Sequence, residues 1–265
     1  MASNSVSDVA DYLLSRGQVT ASTEEIARLL GIPSDQVRHR LRNQVIKNLM
    51  FSPARGLWIP IPPQYRTWGS TPALDFIDAL TRHLNREYYV GWLSAAEIFG
   101  ASHQRPQVTQ AATDRQLNRI SIGRVRIEFY YRQHFEVLPR QRLQTKTGKI
   151  WISTPELTLL DLVDTPARGG GVSNVATLIH DLSQEVILNT SELIRIANIF
   201  PAVTLRRLGY LAELTDSRLD IDVLHHVVKS NPLKRNSMLS PLADRKGLVN
   251  TKWNLILNET VEPEI

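Results

Sequence analysis

The 265-residue sequence contains no cysteine, which excludes disulfide bonds and thiolate metal ligands. It has no run of about 18 uncharged apolar residues of the kind that crosses a membrane. The first residues, MASNSVSDVADYLL, lack the basic start and apolar segment of a secretory signal. We therefore expect a cytoplasmic protein that makes no membrane contact.

Acidic residues are missing from one long stretch. Between Gln36 and Leu74 there is no Asp or Glu, whereas the basic residues there are Arg38, Arg40, Arg42, Lys47, Arg55 and Arg66. Residues 115–149 hold nine Lys or Arg against Glu128 and Glu136, and from residue 150 onward 14 acidic residues outnumber 11 basic ones. Because the net charge is only +5, this uneven distribution, more than the total, indicates a polyanionic partner for the first half.

The length and composition favour a folded protein with two domains. With 42% hydrophobic and 22% charged residues, the chain can bury a sizeable core. A chain of this length usually exceeds one domain. We predict an N-terminal domain at residues 1–68 and a larger mixed helix and sheet domain at 69–265.

The first 60 residues have the pattern of three short helices and a hairpin. Val6, Val9 and Leu13 have helical spacing ahead of Gly17, and Ser22 and Glu25 have the spacing of a capping box. A second helix should end at Gly31, and a third should begin with Ser34 as its N-cap and close at Asn48. The runs LMF and LWIPI then predict a hairpin with Arg55 at its tip, ended by Pro60, Pro62 and Pro63.

The third predicted helix is amphipathic, and its polar side is rich in basic residues. Val37, Leu41 and Val45 are expected to face the core, since they are spaced four residues apart. The opposite face consists of Gln36, His39, Arg40, Asn43 and Lys47, with Arg38 and Arg42 on its flanks.

This order of elements resembles the winged helix-turn-helix, in which the third helix lies in the DNA major groove. The resemblance makes Gln36, Arg40 and Asn43 candidate base-reading residues, and Arg38, Arg42, Lys47 and Arg55 candidate phosphate contacts. Ser34 and His39 complete the candidate DNA-binding set. The alternative is a basic face that is only solvated, with Ser34 a helix cap and His39 a surface residue.

The remainder of the chain mixes predicted strands and helices, which indicates an α+β fold. Strands are expected at QVTQAAT, RVRIEFYY, near Leu143, at KIWIST and at KWNLILN. Helices are expected at TPALDFIDALTRHL, STPELTLLDLV, VSNVATLIHDL, SELIRIANIF and TLRRLGYLAEL. Thr154 or Ser153 should cap the second of these helices, with Pro155 in its first turn.

Several segments together resemble the AbiEi antitoxin family of abortive-infection toxin-antitoxin systems. They are GSTPALDFIDAL, YYVGWLSAAEIFGASHQRPQV, STPELTLLDLVD and LRRLGYLAEL, together with the N-terminal domain, and the resemblance covers roughly residues 8–257. It implies an antitoxin that binds inverted repeats in double-stranded operator DNA and represses its own operon. It also implies a functional partner, a nucleotidyltransferase-like toxin that is counteracted without a stable complex.

No catalytic, metal or cofactor site is predicted. Gly69-Ser70 precedes Asp75 and Asp78, but these carboxylates are three residues apart in a helical context, unlike the Asp-x-Asp pair of a magnesium-dependent nucleotidyltransferase. Gly169–Gly171 lacks the Lys-Ser/Thr of a phosphate-binding loop. The histidines lack ligand spacing, since His225 and His226 are adjacent and His83, His103 and His134 are isolated.

Two questions stay open at the level of sequence. The basic residues of 115–149 either contact nucleic acid or form the solvent side of strands; they are Arg119, Arg124, Arg126, Arg132, Arg140, Arg142, Lys146 and Lys149. The second question is the mode of action. Instead of reading DNA, the chain could be a protein- or RNA-binding module that neutralises a toxin by direct contact. An enzyme acting on the toxin is a weaker third possibility.

Overall fold

The computed structural model describes residues 8–101, 107–233 and 235–265, so Val6, His103 and part of the YYVGWLSAAEIFGASHQRPQV segment lie outside the described residues. The helices are α1 Val9–Ser15, α2 Thr23–Leu30, α3 Val37–Ile46, α4 Ile77–His83, α5 Trp92–Ile98, α6 Pro155–Asp164, α7 Val172–Glu185, α8 Thr190–Ala197, α9 Ala202–Leu214 and α10 Ile221–Ser230. The strands are β1 Ala21–Ser22, β2 Met50–Ala54, β3 Leu57–Pro60, β4 Tyr88–Val90, β5 Thr109–Thr113, β6 Ile120–Ile122, β7 Val125–Tyr131, β8 Arg140–Thr145, β9 Gly148–Ser153, β10 Ser237–Met238, β11 Leu248–Asn250 and β12 Leu255–Leu257. The predicted α+β class is confirmed.

The chain divides into two compact units. The first comprises Met1–Tyr89, Gln107–Arg132 and Arg142–Trp151, and the second comprises Val90–Pro106, Gln133–Gln141 and Ile152–Ile265. Each unit is therefore built from separated stretches of the sequence. The division at residue 68 stays a prediction, because a domain is defined by its ability to fold alone and not only by where its contacts are densest.

The helices α1, α2 and α3 pack with a three-stranded sheet of order β1-β3-β2 around a common core. The predicted capping box of α2 is confirmed, since Ser22 and Glu25 each bond to the other's backbone N–H. Gly31 follows α2 in the left-handed conformation at φ 65°, and Asn48 closes α3 at φ 53°. The hairpin β2–β3 has Arg55 and Gly56 at its tip, as predicted.

Two predictions for the third helix were wrong. Ser34 does not cap α3, because Ser34–Gln36 forms a 3₁₀ turn and α3 begins at Val37 without a side-chain cap hydrogen bond. Val45 does not face the core: its side chain is 39% exposed, whereas Gln44 is only 8% exposed. At about 100° per residue, Gln44 lies about 20° from Val37 around the helix, and Val45 about 80° away. The inner row is therefore Val37, Leu41 and Gln44.

Strands that lie mostly in the first unit form a six-stranded sheet, in the order β6-β7-β5-β4-β9-β8 among the described residues. Strand β7 pairs in parallel with β5 and antiparallel with β6, and Ser121 is opposite Arg126. The side chains of Val125, Ile127 and Phe129 are buried, while Arg126 between them is exposed. This alternation confirms the predicted strand.

The second unit is organised around helix α6, whose side chains from Glu156 to Val163 are buried. Thr154 caps this helix and Pro155 is in its first turn, as predicted. Helix α9 packs against the C-terminal segment, because Arg206 and Arg207 donate to the carbonyl oxygens of Trp253 and Met238. The sheet β10-β12-β11 includes the predicted strand at KWNLILN, while helix α10 was not predicted. In the described part of the chain, every helix is too short or too polar to cross a bilayer.

Candidate nucleic-acid interface

Helix α3 and the β2–β3 hairpin form the walls of an open groove of about 1480 Å³, called here the α3–hairpin groove. The start of helix α2 contributes Thr23 and Glu24 to it. The 3₁₀ turn before α3 contributes Ser34 and Asp35. The side of α3 that faces the groove carries Arg38, His39, Arg42, Val45 and Ile46, and the hairpin supplies residues 52–56 and Trp58.

The structure divides the candidate DNA-binding residues into two groups. Five of them line the α3–hairpin groove: Ser34, Arg38, His39, Arg42 and Arg55. The other four are exposed on α3 or just before or after it but do not line the groove: Gln36, Arg40, Asn43 and Lys47. A rotation of roughly 130° around the helix axis separates the centres of the two groups. We call the second group the outer face of α3.

The outer face and the groove differ in charge. The three arginines of the groove, Arg38, Arg42 and Arg55, share it with the carboxylates of Glu24 and Asp35. The outer face carries Arg40 and Lys47 beside two amides and no carboxylate. Both surfaces are therefore net positive. In the groove, however, a phosphate would be attracted to positions near the arginines and repelled from the position near Glu24.

Helix α3 places two exposed apolar side chains in the groove that were not predicted as site residues. Ile46 is 68% exposed and Val45 is 39% exposed. Ile46 is nine residues after Val37, which places it about 180° from the buried side of α3. Its position on the helical wheel could have identified it. An exposed isoleucine of this kind can contact the methyl group of thymine.

The tip of the hairpin is held in place by three hydrogen bonds. Trp58 Nε1 donates to Thr23 Oγ1 at 2.9 Å, and the backbone N–H of Thr23 donates to the carbonyl oxygen of Gly56 at 2.9 Å. From helix α4, His83 Nε2 donates a hydrogen bond to the carbonyl oxygen of Arg55 at 2.9 Å. These contacts fix the backbone that carries the Arg55 side chain. The role of His83 depends on contacts distant in sequence, so no local pattern could have predicted it.

Of the two carboxylates considered for a magnesium site, Asp78 is paired with other side chains and Asp75 is partly buried. Asp78 Oδ1 accepts from Tyr88 Oη at 3.1 Å and from Arg142 Nη1 at 3.0 Å, and Asp78 Oδ2 accepts from Arg82. Burial raises the pKa of Asp75, and the nearby charge of Lys146 acts in the opposite direction. Within residues 8–101, 107–233 and 235–265, no group of three or more His, Asp or Glu side chains could hold a metal ion.

Residues 89–214 match the family model of the AbiEi antitoxin C-terminal domain. The chain carries the C-terminal domain of an AbiEi antitoxin. The matched region begins in β4 and ends with α9, and it includes the buried helix α6. The family resemblance predicted from the segments around these elements is confirmed. An antitoxin role in a toxin-antitoxin system follows from this domain.

One solved structure is similar in fold to nearly the whole of this chain. The crystal structure of the RV2827C protein from Mycobacterium tuberculosis is similar with a TM-score of 0.70 and 17% sequence identity, over 97% of this chain and 92% of that one. This similarity shows a shared fold. An antigenic nucleotidyltransferase-like protein from Paracoccidioides brasiliensis gives a TM-score of 0.37 at 10% identity, over 58% of this chain and 95% of that one, which is too low to bear on function. No curated protein matches the chain.

Proposed function

We propose that this AbiEi antitoxin binds double-stranded operator DNA and represses its own operon, with residues 1–68 acting as a winged helix-turn-helix. The observation that carries the proposal is the α3–hairpin groove, in which Arg38 and Arg42 of the helix face Arg55 of the hairpin tip across an open channel. The absence of Asp and Glu from residues 36–74 supports the same assignment.

The shape of the groove fits one sugar-phosphate strand. In duplex DNA, each backbone strand separates the major groove from the adjoining minor groove. A helix in the major groove and a hairpin over the minor groove therefore lie on either side of a strand. Arg38, Arg42 and Arg55 would then contact phosphates of that strand. Such contacts set the orientation of the protein on DNA and carry no sequence information.

The outer face of α3 is the surface suited to base readout. Arg40 can donate two hydrogen bonds to guanine, and Gln36 and Asn43 can each pair with adenine. These side chains are exposed, so they are free to enter a major groove. His39 and Ile46 line the side of the groove that is nearest to the outer face and would face the base edges as well. Lys47, at the C-terminal end of the helix, would contact a phosphate.

We also propose the remaining functions that the family resemblance implies. The operator would contain inverted repeats, each bound by one copy of the chain. The partner toxin would be of the nucleotidyltransferase type, counteracted without a stable complex. The AbiEi antitoxin domain supports the existence of a toxin.

A second candidate function is direct contact with a protein. It is favoured by the exposed Ile46 and Val45 in the groove, because exposed apolar side chains are typical of protein interfaces. Co-purification with the toxin that is reduced by Ile46→Asp would support it. Neutralisation of the toxin without any complex would reject it.

A reporter gene under the chain's own upstream DNA tests the proposed repression. The full chain should lower expression from this DNA, and Arg40→Ala together with Asn43→Ala should restore it while the protein level stays constant. Lys229→Ala, which removes an exposed positive charge from α10, is the matched control and should repress like the wild type. Equal expression with and without the wild-type chain would reject autoregulation.

A further inference from the structure

The turn between β6 and β7 lies against the residues that follow the hairpin. A Cβ atom on Gly123, in this turn, would lie 2.0 Å from the carbonyl oxygen of Trp68. The same oxygen accepts the backbone N–H of Arg124 at 3.0 Å. Gly123 also has φ 54°, a conformation that favours glycine. The turn is thus fixed in position by a close approach that no larger residue permits.

The same turn is adjacent to the C-terminal end of α3. A Cβ atom built on Gly69 would lie 3.5 Å from the Cα of Gly123 and 3.6 Å from Asn48 Oδ1. Asn48 directly follows Lys47 of the outer face. Three segments distant in sequence therefore meet at one point: the end of α3, the residues after Trp68, and the β6–β7 turn.

The turn presents exposed positive charge at this point. Among the described residues, the guanidinium group of Arg124 makes no hydrogen bond or ion pair, and its side chain is exposed. Arg126 is exposed as well, and its Nη1 donates only to the carbonyl oxygens of Gly123 and Val125. Glu128, on the same side of β7, accepts a hydrogen bond from Tyr130. The turn therefore carries two cations that form no ion pair with any carboxylate in the described part of the chain.

We propose that Arg124 and Arg126 form a second DNA contact, to phosphates of the duplex beyond the C-terminal end of α3. The inference rests on the proposed function, since it takes α3 to lie in the major groove. A duplex carries about one negative charge per 1.7 Å of its axis, so DNA that continues past Lys47 presents phosphates beside the turn. The contact is to the backbone and independent of sequence. It assigns part of the basic 115–149 segment to nucleic-acid binding.

The test compares Arg124→Ala with the wild type in the full chain, on an operator duplex that extends past the site and on one truncated at the half-site. On the long duplex, the variant should bind more weakly, and the slope of log K against log salt should fall by about one unit. Its preference for the operator over a scrambled duplex should be unchanged. On the truncated duplex, wild type and variant should bind alike.

Lys229→Ala controls for the loss of one positive charge and should keep the wild-type slope. If Arg124→Ala keeps the wild-type slope on the long duplex, or if Lys229→Ala lowers it equally, the second contact is rejected while the proposed function stands. If the wild type itself does not prefer the operator, the proposed function fails. Arg124→Lys keeps the positive charge and should therefore retain the wild-type slope of log K against log salt. This result would show that the loss in Arg124→Ala comes from the charge and not from an effect on folding.

Discussion

Gln44 Oε1 accepts a hydrogen bond from the backbone N–H of Ala10 at 3.0 Å, which ties the inner side of α3 to the first turn of α1. The N–H groups of a first helical turn have no partner within the helix, so this side chain satisfies one of them inside the core. The bond also fixes the rotation of α3 about its own axis. That rotation decides which side chains enter the groove and which lie on the outer face.

The Gln44 bond predicts the stability effect of removing it. Gln44→Ala leaves the buried N–H of Ala10 without an acceptor, so the free energy of unfolding should fall by about 1–3 kcal/mol. The neighbouring exposed variant Asn43→Ala should change it by less than about 0.5 kcal/mol. Urea denaturation of the full chain measures both. Equal effects of the two substitutions would show that Gln44 does not hold α3.

His83 should act on DNA binding through Arg55. His83→Ala removes the donor to the Arg55 carbonyl oxygen and should weaken binding by about 2- to 10-fold, the value of one net hydrogen bond. The effect should disappear when Arg55 is already alanine, because His83 would then position nothing. A binding titration of the two single variants and the double variant measures this coupling. Additive losses would argue against a positioning role.

Gly209 in α9 should be intolerant of any side chain. A Cβ atom there would lie 2.1 Å from Cζ3 of Trp253, a fully buried residue. Gly209→Ala should therefore destabilise the protein by about 1–3 kcal/mol through overpacking, although alanine favours helices. Thermal unfolding followed by tryptophan fluorescence reports the change. Leu214→Ala, at a more exposed position of the same helix, is the control and should cost less.

Glu213 should make stability depend on acidic pH. Hydrogen bonds from Lys252 and from Trp253 lower the pKa of Glu213 below 4.5 in the folded state. The stabilisation that the Glu213 carboxylate contributes to the folded state is thus fully present above pH 4.5, and it is lost as the pH falls through the folded pKa. Glu213→Gln should be less stable than the wild type at pH 7, and the two should converge at low pH. A constant difference over that range would contradict the ionic origin.

Local signals in the sequence were sufficient for much of the fold. The capping box of α2, the left-handed residues Gly31 and Asn48, and the hairpin tip at Arg55 each depend on residues a few positions apart. The strand β7 followed from the β-branched and aromatic residues of RVRIEFYY. Such features have nearly the same energy wherever the segment lies, which explains why they could be predicted.

Features that depend on distant partners were missed. Gln44 was not among the residues predicted to face the core, where amides are uncommon, and its bond to the N–H of Ala10 explains its burial. Arg206 is 1% exposed in α9 because backbone carbonyl oxygens of Asn231 and Trp253 surround it. The division of the DNA-binding candidates between groove and outer face likewise required the position of the hairpin relative to α3.

The outer face of α3 is proposed to read bases while the groove binds phosphates. The most direct measurement is the ratio of dissociation constants for an upstream inverted repeat and a scrambled duplex, at fixed salt, for the wild type, Arg40→Ala and Arg42→Ala. The wild type should prefer the operator by at least about 1000-fold. Arg40→Ala should lose about 1–3 kcal/mol of that preference, while Arg42→Ala should weaken binding to both duplexes equally. A wild-type ratio near one, or the same loss of preference in both variants, would contradict the account.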